Sequence, residues 1–364
     1  MSETPVKTMV LELLREARAQ ELAQLARLSE SERVATGTPE RWSARDSVAH
    51  IAAWRERHAE KLATTLRGDT PPIWTNMDHV NALNAAQFPL HASESWPVIA
   101  AFSERAYTAL LSQVGAMSEE DLAENGRFPA LNGDSLWGET LGNGVWHVYT
   151  HLVALAQSQG DQPQVERLQS AELAAQEAVA RLEIARGATP AQRAGGEYNL
   201  ACRYALSGRT DAALASLRRS LSGRPELALH ARHDDDFASL REHPDFLALT
   251  SGAADPGLVS ATETRSRVEA RTALVIDVRD PEEYAEGHVA GAVNVPVGSL
   301  RERLAELPRE RLLVTYCNMR HRGTSRCEMA ASLLAGEGYD ARALDGGYPG
   351  WKQSGLPVEE PANA

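Results

Sequence analysis

The sequence predicts a multidomain protein: an all-α four-helix bundle and a second helical, repeat-like segment, followed by an α/β domain with a mainly parallel sheet. Three observations predict this. Residues 1–160 contain four long amphipathic segments, residues 164–250 contain alanine-rich helices joined by short turns, and in residues 256–360 short apolar runs alternate with helical ones. At roughly 100–200 residues per domain, the 364-residue chain can form two or three domains.

Composition and charge indicate which classes of binding partner and which cell compartment to expect. The formal net charge is −13, and phosphate binding needs a basic face, so we expect no nucleic-acid partner. No apolar run approaches the roughly 18–20 residues of a membrane helix, so we expect no membrane partner. The N-terminal segment lacks the basic start and apolar core of a signal peptide. Because Cys202, Cys317 and Cys327 make a poor disulfide framework in a chain of this length, we predict a cytoplasmic protein.

The first region is predicted to be an up-down bundle. Its helical segments cover 6–28, 42–68, 76–87, 95–114 and 138–157. The third segment is short and is predicted to end before Pro89, because proline disfavours helix continuation. Ser43 is a favourable N-cap for the second helix, with Asp46 in the first turn, where negative charge is stabilising.

The central region, 164–250, contains a helix pair that resembles a tetratricopeptide unit. The pair covers 197–208 and 209–221, with the small residues Ala201 and Ala213 placed to let the helices approach closely. Only one repeat is clear, and about three are needed for an independent solenoid. We therefore expect this region to pack against a neighbour.

The last region alternates strands with helices. Apolar runs predict strands over 272–278, 292–297, 312–317 and 341–346, and helical spacing is found over 282–287, 300–307 and 327–338. Such alternation is typical of a mainly parallel sheet that is covered on both faces.

Cys317 is the candidate nucleophile. It ends the third predicted strand, and open α/β sheets place their reacting groups at the carboxyl ends of strands. The loop after it leads into a helix N-terminus, where backbone N–H groups favour a thiolate or persulfide. Its arginines could bind an oxyanion such as thiosulfate, or lower the pKa of the thiol. The predicted anion-binding loop comprises Asn318, Met319, Arg320, His321, Arg322, Gly323, Thr324, Ser325 and Arg326.

Three ordered motifs of this region resemble the rhodanese family. They are LVIDVRDPEEYAEGHVAGAVNVP at 274–296, the cysteine loop, and ALDGGYPGWKQSGLPVE at 343–359. The resemblance implies a sulfurtransferase that takes sulfane sulfur from thiosulfate or a persulfide. The sulfur is then held as a Cys317 persulfide and passed to a thiol or a cyanide-type acceptor. The resemblance also implies no metal or organic cofactor in this domain, and a role in the loop scaffold for Asp277 and Arg279.

The cysteine loop departs from the usual sulfurtransferase pattern, which is shorter and closes on an arginine. Here Cys317 to Arg326 spans ten residues. Matching the helix that follows assigns the family's arginine to Arg326, whereas counting from the cysteine assigns it to Arg322, and both assignments stay open. The longer loop either widens the pocket for a bulkier substrate or displaces the N–H groups that cradle sulfur.

Two interpretations of Cys327 are open. It either packs into the core, or it is a resolving thiol that forms a disulfide with Cys317. The second interpretation supports an alternative function, a redox sensor or small-molecule-binding protein that uses both cysteines without sulfur transfer. A protein partner would then bind through the helical region 164–250.

Three histidines of the bundle are candidate metal ligands. His147 and His151 lie four residues apart on one predicted helix and therefore share a face, while His50 lies on another helix. A bundle can bring such imidazoles together around a divalent metal such as Zn or Ni. The alternative is that neighbouring polar groups satisfy their hydrogen bonds.

The segments around these histidines, 42–58 and 142–152, resemble the two metal-bearing segments of the DinB-like bundle superfamily. Some members are transferases or isomerases that use a low-molecular-weight thiol. Others are binding or self-resistance proteins, and Trp54 and the 76–87 helix resemble this second, DfsB-type branch more closely. His58, two turns beyond the first histidine, is predicted to lie on a solvated face.

Overall fold

The computed structural model describes residues 5–38, 41–69, 77–128, 135–251, 256–318 and 325–359. The chain divides into two compact units, Met1–Ala185 and Arg186–Ala364. Within the residues described, no helix combines the length and apolar character that crossing a bilayer requires. The predicted division into three domains stays a prediction.

The first unit is helical throughout its described part. Its helices are α1 (Val6–Ala26), α2 (Glu30–Val34), α3 (Ala44–Leu66), α4 (Met77–His91), α5 (Trp96–Ala116), α6 (Glu119–Ala123), α7 (Leu136–Leu141), α8 (His147–Ser158) and α9 (Gln162–Ala185). A π-helical turn, Gly142–Trp146, joins α7 to α8. Helices α1, α3, α5 and α7–α8 enclose one apolar core, which confirms the predicted four-helix bundle.

The start of α3 is fixed as the sequence predicts. The Ser43 hydroxyl accepts from the Asp46 N–H at 3.2 Å, and the Asp46 carboxylate accepts from the Ser43 N–H at 2.9 Å. This reciprocal capping box satisfies backbone donors that the helix leaves unpaired. The same carboxylate accepts from Gly37 N–H at 2.8 Å, so the incoming chain is tied to the helix start.

The predicted end of the short helix before Pro89 is wrong. Helix α4 passes through Pro89 and ends at His91. A proline this close to the helix end removes a single backbone hydrogen bond, and the helix has few turns beyond it to distort. His91 then pairs with Glu94 at 2.7 Å.

A fully buried ionic cluster crosses the core of the bundle. Glu21 pairs with Arg18 and Arg55, each at 2.6 Å, and accepts from the Ser103 hydroxyl at 3.1 Å. Glu21 and Arg55 are completely buried. Burial raises the pKa of Glu21, but the two arginines more than offset this, so its pKa is lowered and it is an anion. The carboxylate therefore compensates two cations that would otherwise be costly to bury.

The second unit begins with a pair of closely packed helices. The helices of this part are α10 (Pro190–Leu206), α11 (Thr210–Gly223), α12 (Leu227–His233) and α13 (Pro244–Thr250). Ala201 and Ala213 are fully buried between α10 and α11. A Cβ at Gly223 would lie 2.1 Å from the carbonyl oxygen of Pro190, so the chain needs glycine at this contact. The likeness to a tetratricopeptide repeat stays a prediction.

The remainder of the second unit is an α/β domain. Its elements are β1 (Leu258–Val259), α14 (Ala261–Glu269), β2 (Ala273–Asp277), α15 (Pro281–Glu286), β3 (His288–Val289), β4 (Val293–Asn294), β5 (Leu312–Tyr316), α16 (Arg326–Gly336), β6 (Ala341–Leu344), α17 (Gly347–Gln353) and β7 (Val358–Glu359). Five strands form a parallel sheet in the order β1-β6-β5-β2-β4, and β3 pairs antiparallel with β7. The predicted, mainly parallel sheet is confirmed.

The predicted helix over 300–307 is wrong. The segment consists of turns and one 3₁₀ turn, Leu304–Glu306. Its geometry is set by tertiary hydrogen bonds: Arg303 donates to the carbonyl of Asn294 at 3.2 Å, and the Tyr339 hydroxyl donates to the carbonyl of Leu304 at 2.6 Å. Helical spacing of leucines here reflects packing on the sheet rather than a regular helix.

Candidate functional site

The sheet places Cys317 directly after its central strand. Strand β5 is buried along its length and lies between β2 and β6. The N–H of Tyr348, in α17, donates to the Cys317 carbonyl at 2.9 Å, and the N–H of Val278 donates to the Tyr316 carbonyl at 3.0 Å. The strand end is thus held from both sides, at the edge of the sheet where α/β folds place reacting groups.

The second thiol of the domain lies against the first. The Sγ atoms of Cys317 and Cys327 are 3.0 Å apart, and both cysteines are free thiols. Cys317 is 3% exposed and Cys327 is fully buried. The Thr315 hydroxyl donates to the Cys327 carbonyl at 2.7 Å, which ties the start of α16 to β5. Both sulfurs belong to the apolar core beneath α16.

The contact between the thiols makes them chemically unequal. The hydrogen bond from the Cys327 thiol lowers the pKa of Cys317, against the opposing effect of burial, and the Arg326 guanidinium lowers it further. The same hydrogen bond and burial raise the pKa of Cys327 well above the usual range. Cys317 is therefore the more acidic thiol of the pair, and Cys327 holds its proton more tightly.

The two described ends of the cysteine loop share one carboxylate. Asn318 donates to Glu283 Oε1 at 2.9 Å, and Arg326 donates to Glu283 Oε2 at 2.8 Å. Glu283 lies on α15 and is buried. Arg326 also pairs with Asp280 at 3.3 Å, so carboxylates already compensate its charge. At the helix start, Ser325 caps α16 in a capping box with Glu328.

Most of the predicted anion-binding loop lies outside the described residues. These positions are Met319, Arg320, His321, Arg322, Gly323 and Thr324. Of the loop, the structure places Asn318, Ser325 and Arg326 beside Cys317, and the assignment of the family's arginine to Arg326 or Arg322 stays open. Sequence reasoning missed Glu283, although Asp280 three residues before it forms a capping-box pattern that marks a helix start there.

Asp277 and Arg279 brace the strand next to the nucleophile. Arg279 donates to both carboxylate oxygens of Asp277, at 2.6 Å for the shortest contact, and to the carbonyl of Gly287 at 2.8 Å. Its guanidinium lies 4.4 Å from the ring centroid of Tyr348, the residue whose N–H contacts the Cys317 carbonyl. The predicted role of this pair in the loop scaffold stays a prediction.

The three candidate metal ligands of the bundle converge. His147 Nε2 lies 3.0 Å from His50 Nε2 and 3.0 Å from His151 Nε2. His50 projects from α3, and the other two from α8, directly after the π-helical turn. Trp42 stacks on His151, with ring centroids 5.7 Å apart and planes at 6°. A Cβ at Gly144 would lie 2.3 Å from Leu14, so glycine lets the π-helical turn approach α1.

The charge state of the histidines suits a cation. Burial lowers the pKa of His50 to about 2, of His147 to about 3 and of His151 to about 4, so all three imidazoles are neutral at neutral pH. A single ring nitrogen can make one hydrogen bond, so His147 Nε2 cannot satisfy both neighbours. Zinc ligands at about 2.0–2.1 Å from the ion lie roughly 3.3 Å from one another in a tetrahedron. The donor set and its spacing therefore fit a divalent metal.

His58 is not on a solvated face, and that prediction is wrong. It is 2% exposed, and its Nε2 lies 3.0 Å from the Thr140 hydroxyl oxygen. Helix α3 is buried on nearly all sides, because α5, α8 and the π-helical turn all pack on it. Among the described residues, His58 is absent from the cluster of histidine nitrogens that could hold one metal ion.

Comparison with known proteins agrees with this architecture. Residues 260–354 match the family described as "Rhodanese-like domain", and residues 13–154 match "DinB superfamily". A protein named "Sulfurtransferase" from Allochromatium vinosum is 34% identical over 90 residues, covering 24% of this chain and 79% of that protein. A "Thiosulfate sulfurtransferase GlpE" from Pseudomonas entomophila is 34% identical over 90 residues, covering 24% of this chain and 77% of the relative.

A third relative extends the comparison to a different kind of protein. An "HTH-type transcriptional regulator Rv0324" from Mycobacterium tuberculosis is 39% identical over 107 residues, which are 29% of this chain. The matched stretch spans 45% of that relative, so less than half of its length is shared. The DfsB-type branch within the DinB superfamily stays a prediction. The chain belongs to the rhodanese-like family through its C-terminal domain, and residues 13–154 are similar to the DinB superfamily.

Proposed function

We propose that the protein is a sulfurtransferase in which Cys317 carries sulfane sulfur as a persulfide. The observation that carries the proposal is the position of this thiol, at the carboxyl end of the central strand, with its pKa lowered by the Cys327 S–H. Relatives named as sulfurtransferases match the chain at 34% identity, which supports the same chemistry.

The reaction has two half-steps. The Cys317 thiolate attacks the outer sulfur of thiosulfate, the S–S bond of the donor breaks, and sulfite leaves with the electron pair. The persulfide then transfers its outer sulfur to a thiol or cyanide, and the Cys317 thiolate is restored. The N-terminus of α16 favours the negative charge that both half-steps place on sulfur. Neither half-step uses a metal or an organic cofactor.

The DinB region is proposed to handle small thiols. His50, His147 and His151 would hold a divalent ion, Zn or Ni, which would supply a Lewis acid for a thiol ligand. The protein's own contribution is to keep the imidazoles neutral by burial and to stack Trp42 over one of them. The helical N-terminal region would then bind a low-molecular-weight thiol, and the rhodanese-like domain would transfer the sulfane sulfur that this thiol carries.

The alternative function is a redox sensor, and the 3.0 Å contact between Cys317 and Cys327 favours it. Peroxide would oxidise the Cys317 thiolate to a sulfenic acid, and Cys327 would displace water from it to form a disulfide. No sulfur would be transferred. A protein partner reading the oxidised state would bind the helical region 164–250.

The test measures sulfite release and thiocyanate formation by the full chain. Thiosulfate is added with excess cyanide present from the start, so that cyanide intercepts the persulfide. Wild type and Cys202→Ser should turn over equally, because Cys202 is a core residue of the other helical cluster, whereas Cys317→Ser should release no sulfite. No sulfite from wild type, with thiosulfate or with glutathione persulfide as donor, would refute sulfur transfer. A peroxide-induced disulfide in that inactive protein would establish the sensor.

The metal site has a separate test. Equilibrium dialysis of the full chain against Zn²⁺ should load one ion per chain in wild type and in His58→Gln. His147→Ala should weaken zinc binding by more than roughly 10–100-fold, which is the loss caused by mutating a residue that only hydrogen-bonds to a metal ligand. Equal zinc binding by wild type and His147→Ala would show that the three histidines form no metal site.

A further inference from the structure

The proposed sulfur transfer leaves one thiol of the site without a chemical step. Cys327 contacts Cys317 at 3.0 Å and is fully buried, so no external donor or acceptor reaches it directly. Among the described residues, the sulfur in contact with Cys327 Sγ is that of Cys317. Its chemistry, if it has any, is therefore intramolecular.

The burial of the two sulfurs determines which sulfur of the persulfide Cys327 would meet. Sulfane sulfur arrives from the side on which Cys317 retains its small exposure. The side occupied by Cys327 is closed by fully buried residues of α16 and β5, including Ala330, Ala331 and Leu313. The added sulfur must point away from that packed side. Displacement at the inner sulfur requires the attacking thiol to lie opposite the S–S bond. An outer sulfur that points away from the packed side would leave Cys327 on that opposite side.

We propose that Cys327 attacks Sγ of the Cys317 persulfide, forms a Cys317–Cys327 disulfide and expels the outer sulfur as hydrosulfide. The proposal rests on the proposed sulfur transfer and adds a second product to it. The bond between the inner and outer sulfur breaks, and its electron pair leaves with the outer sulfur, which takes the proton of the Cys327 thiol. The two cysteines supply the two electrons that reduce sulfane sulfur, and an external dithiol reduces the disulfide afterwards.

Loading Cys317 with sulfur removes the largest of the causes that keep Cys327 protonated, although burial continues to raise its pKa. Before loading, its pKa is raised chiefly by the hydrogen bond to the Cys317 thiolate. In the persulfide the negative charge lies on the outer sulfur, so Cys327 no longer donates a hydrogen bond to a charged Cys317 Sγ. The Ser325 hydroxyl lies 3.3 Å from Cys327 Sγ and acts to lower its pKa. Cys327 is also the second residue of α16, where unpaired backbone N–H groups stabilise an anion.

The geometry needs little motion to close the bond. The two sulfurs must approach from 3.0 Å to about 2.0 Å. The hydrogen bond from Thr315 to the Cys327 carbonyl keeps the start of α16 beside β5 throughout. Forming the disulfide therefore requires the two sulfurs to approach by about 1 Å.

The experiment is a single turnover of the full chain, reduced beforehand and freed of reductant, with thiosulfate and without cyanide. Sulfite, trapped hydrosulfide and intact mass are measured for wild type, Cys327→Ser, Cys327→Ala and the control Cys202→Ser. Wild type and the control should release one sulfite and one hydrosulfide per chain, and should lose two hydrogen atoms in mass. Both Cys327 variants should release one sulfite, retain one extra sulfur atom and produce no hydrosulfide. Sulfite release should be slower in Cys327→Ala, which lacks a hydrogen-bond donor to Cys317.

The outcomes separate the two proposals. If wild type keeps the extra sulfur and releases sulfite without hydrosulfide, the role of Cys327 is refuted while Cys317 remains a sulfur carrier. If no protein releases sulfite with thiosulfate or with glutathione persulfide, sulfur transfer itself fails, and the role of Cys327 fails with it. Two variants are used because a polar and a small residue perturb the buried site differently. Release of one sulfite by both variants excludes misfolding as the cause of the missing hydrosulfide.

Discussion

Acid should destabilise the bundle through His58, and the size of the effect follows from its surroundings. Thr140 donates its hydroxyl hydrogen to the Leu136 carbonyl at 2.8 Å, so its oxygen accepts from His58 Nε2 at 3.0 Å. His58 is therefore the neutral tautomer with its proton on Nε2. Burial lowers its pKa from 6.5 to about 4, more than Glu139 raises it.

The sign and magnitude follow from proton linkage. Below pH 6.5 the unfolded chain binds a proton at His58 that the folded protein excludes until the pH approaches its folded pKa of about 4. The free energy of unfolding therefore falls as the pH falls through this window, by at most about 1.4 kcal/mol per pH unit. Between pH 7 and pH 5 the loss due to His58 is about 2 kcal/mol.

The assay is urea denaturation of wild type and His58→Gln at pH 7 and at pH 5. Six of the seven tryptophans lie in the first unit, so tryptophan fluorescence of the full chain reports mainly on the bundle. Glutamine keeps an N–H donor toward Thr140 but does not titrate. The three metal-site histidines contribute equally to both proteins and cancel. Wild type should lose about 2 kcal/mol more than the variant, and parallel losses would refute the reasoning.

Three further predictions concern other parts of the structure. Glu21→Gln should lower the free energy of unfolding by about 3–5 kcal/mol in urea denaturation, because it removes the carboxylate that pairs with the completely buried Arg55 and leaves Arg18 paired with the exposed Glu104 alone. Cys327→Ala should raise the pKa of Cys317, because alanine has no hydrogen-bond donor, so alkylation of that thiol by iodoacetamide at pH 7 should slow; an unchanged rate would mean that the S–H donor is unimportant. Gly223→Ala should lower the melting temperature and reduce the free energy of unfolding by about 1–3 kcal/mol, because the added Cβ would clash with the start of α10. Gly195→Ala, where nothing lies within 4 Å of the new Cβ, should not be destabilising.

Sequence reasoning succeeded where one physical signal dominates. Alternating apolar runs predicted β2, β4, β5 and β6, and the end of the third run placed Cys317 at a strand terminus. The capping pattern of Ser43 and Asp46 predicted where α3 begins. Such signals are local, since each depends on residues within a turn or a strand of one another.

Sequence reasoning failed where the partner is distant along the chain. His58 was expected on a solvated face because it stands between Arg57 and Glu60, but it is buried and contacts Thr140 on another helix. Arg55, on the same helix, is completely buried and pairs with Glu21 on α1. Helical periodicity distinguishes an apolar face from a polar one, but it does not identify a polar face that is neutralised inside a bundle.

The shared attachment of Asn318 and Arg326 to Glu283 has a consequence for how this pocket could change. The two ends of the cysteine loop are fixed by one carboxylate on α15, so chain length can be added between them without moving either end. Closing a longer loop costs little free energy, about 0.6 kcal/mol for each doubling of its length. The described contacts of Cys317 come from Cys327, Arg326 and α17, all of which lie at or outside the two fixed ends. In the proposed reaction, the length of the loop and the environment of the nucleophile can therefore change independently of each other.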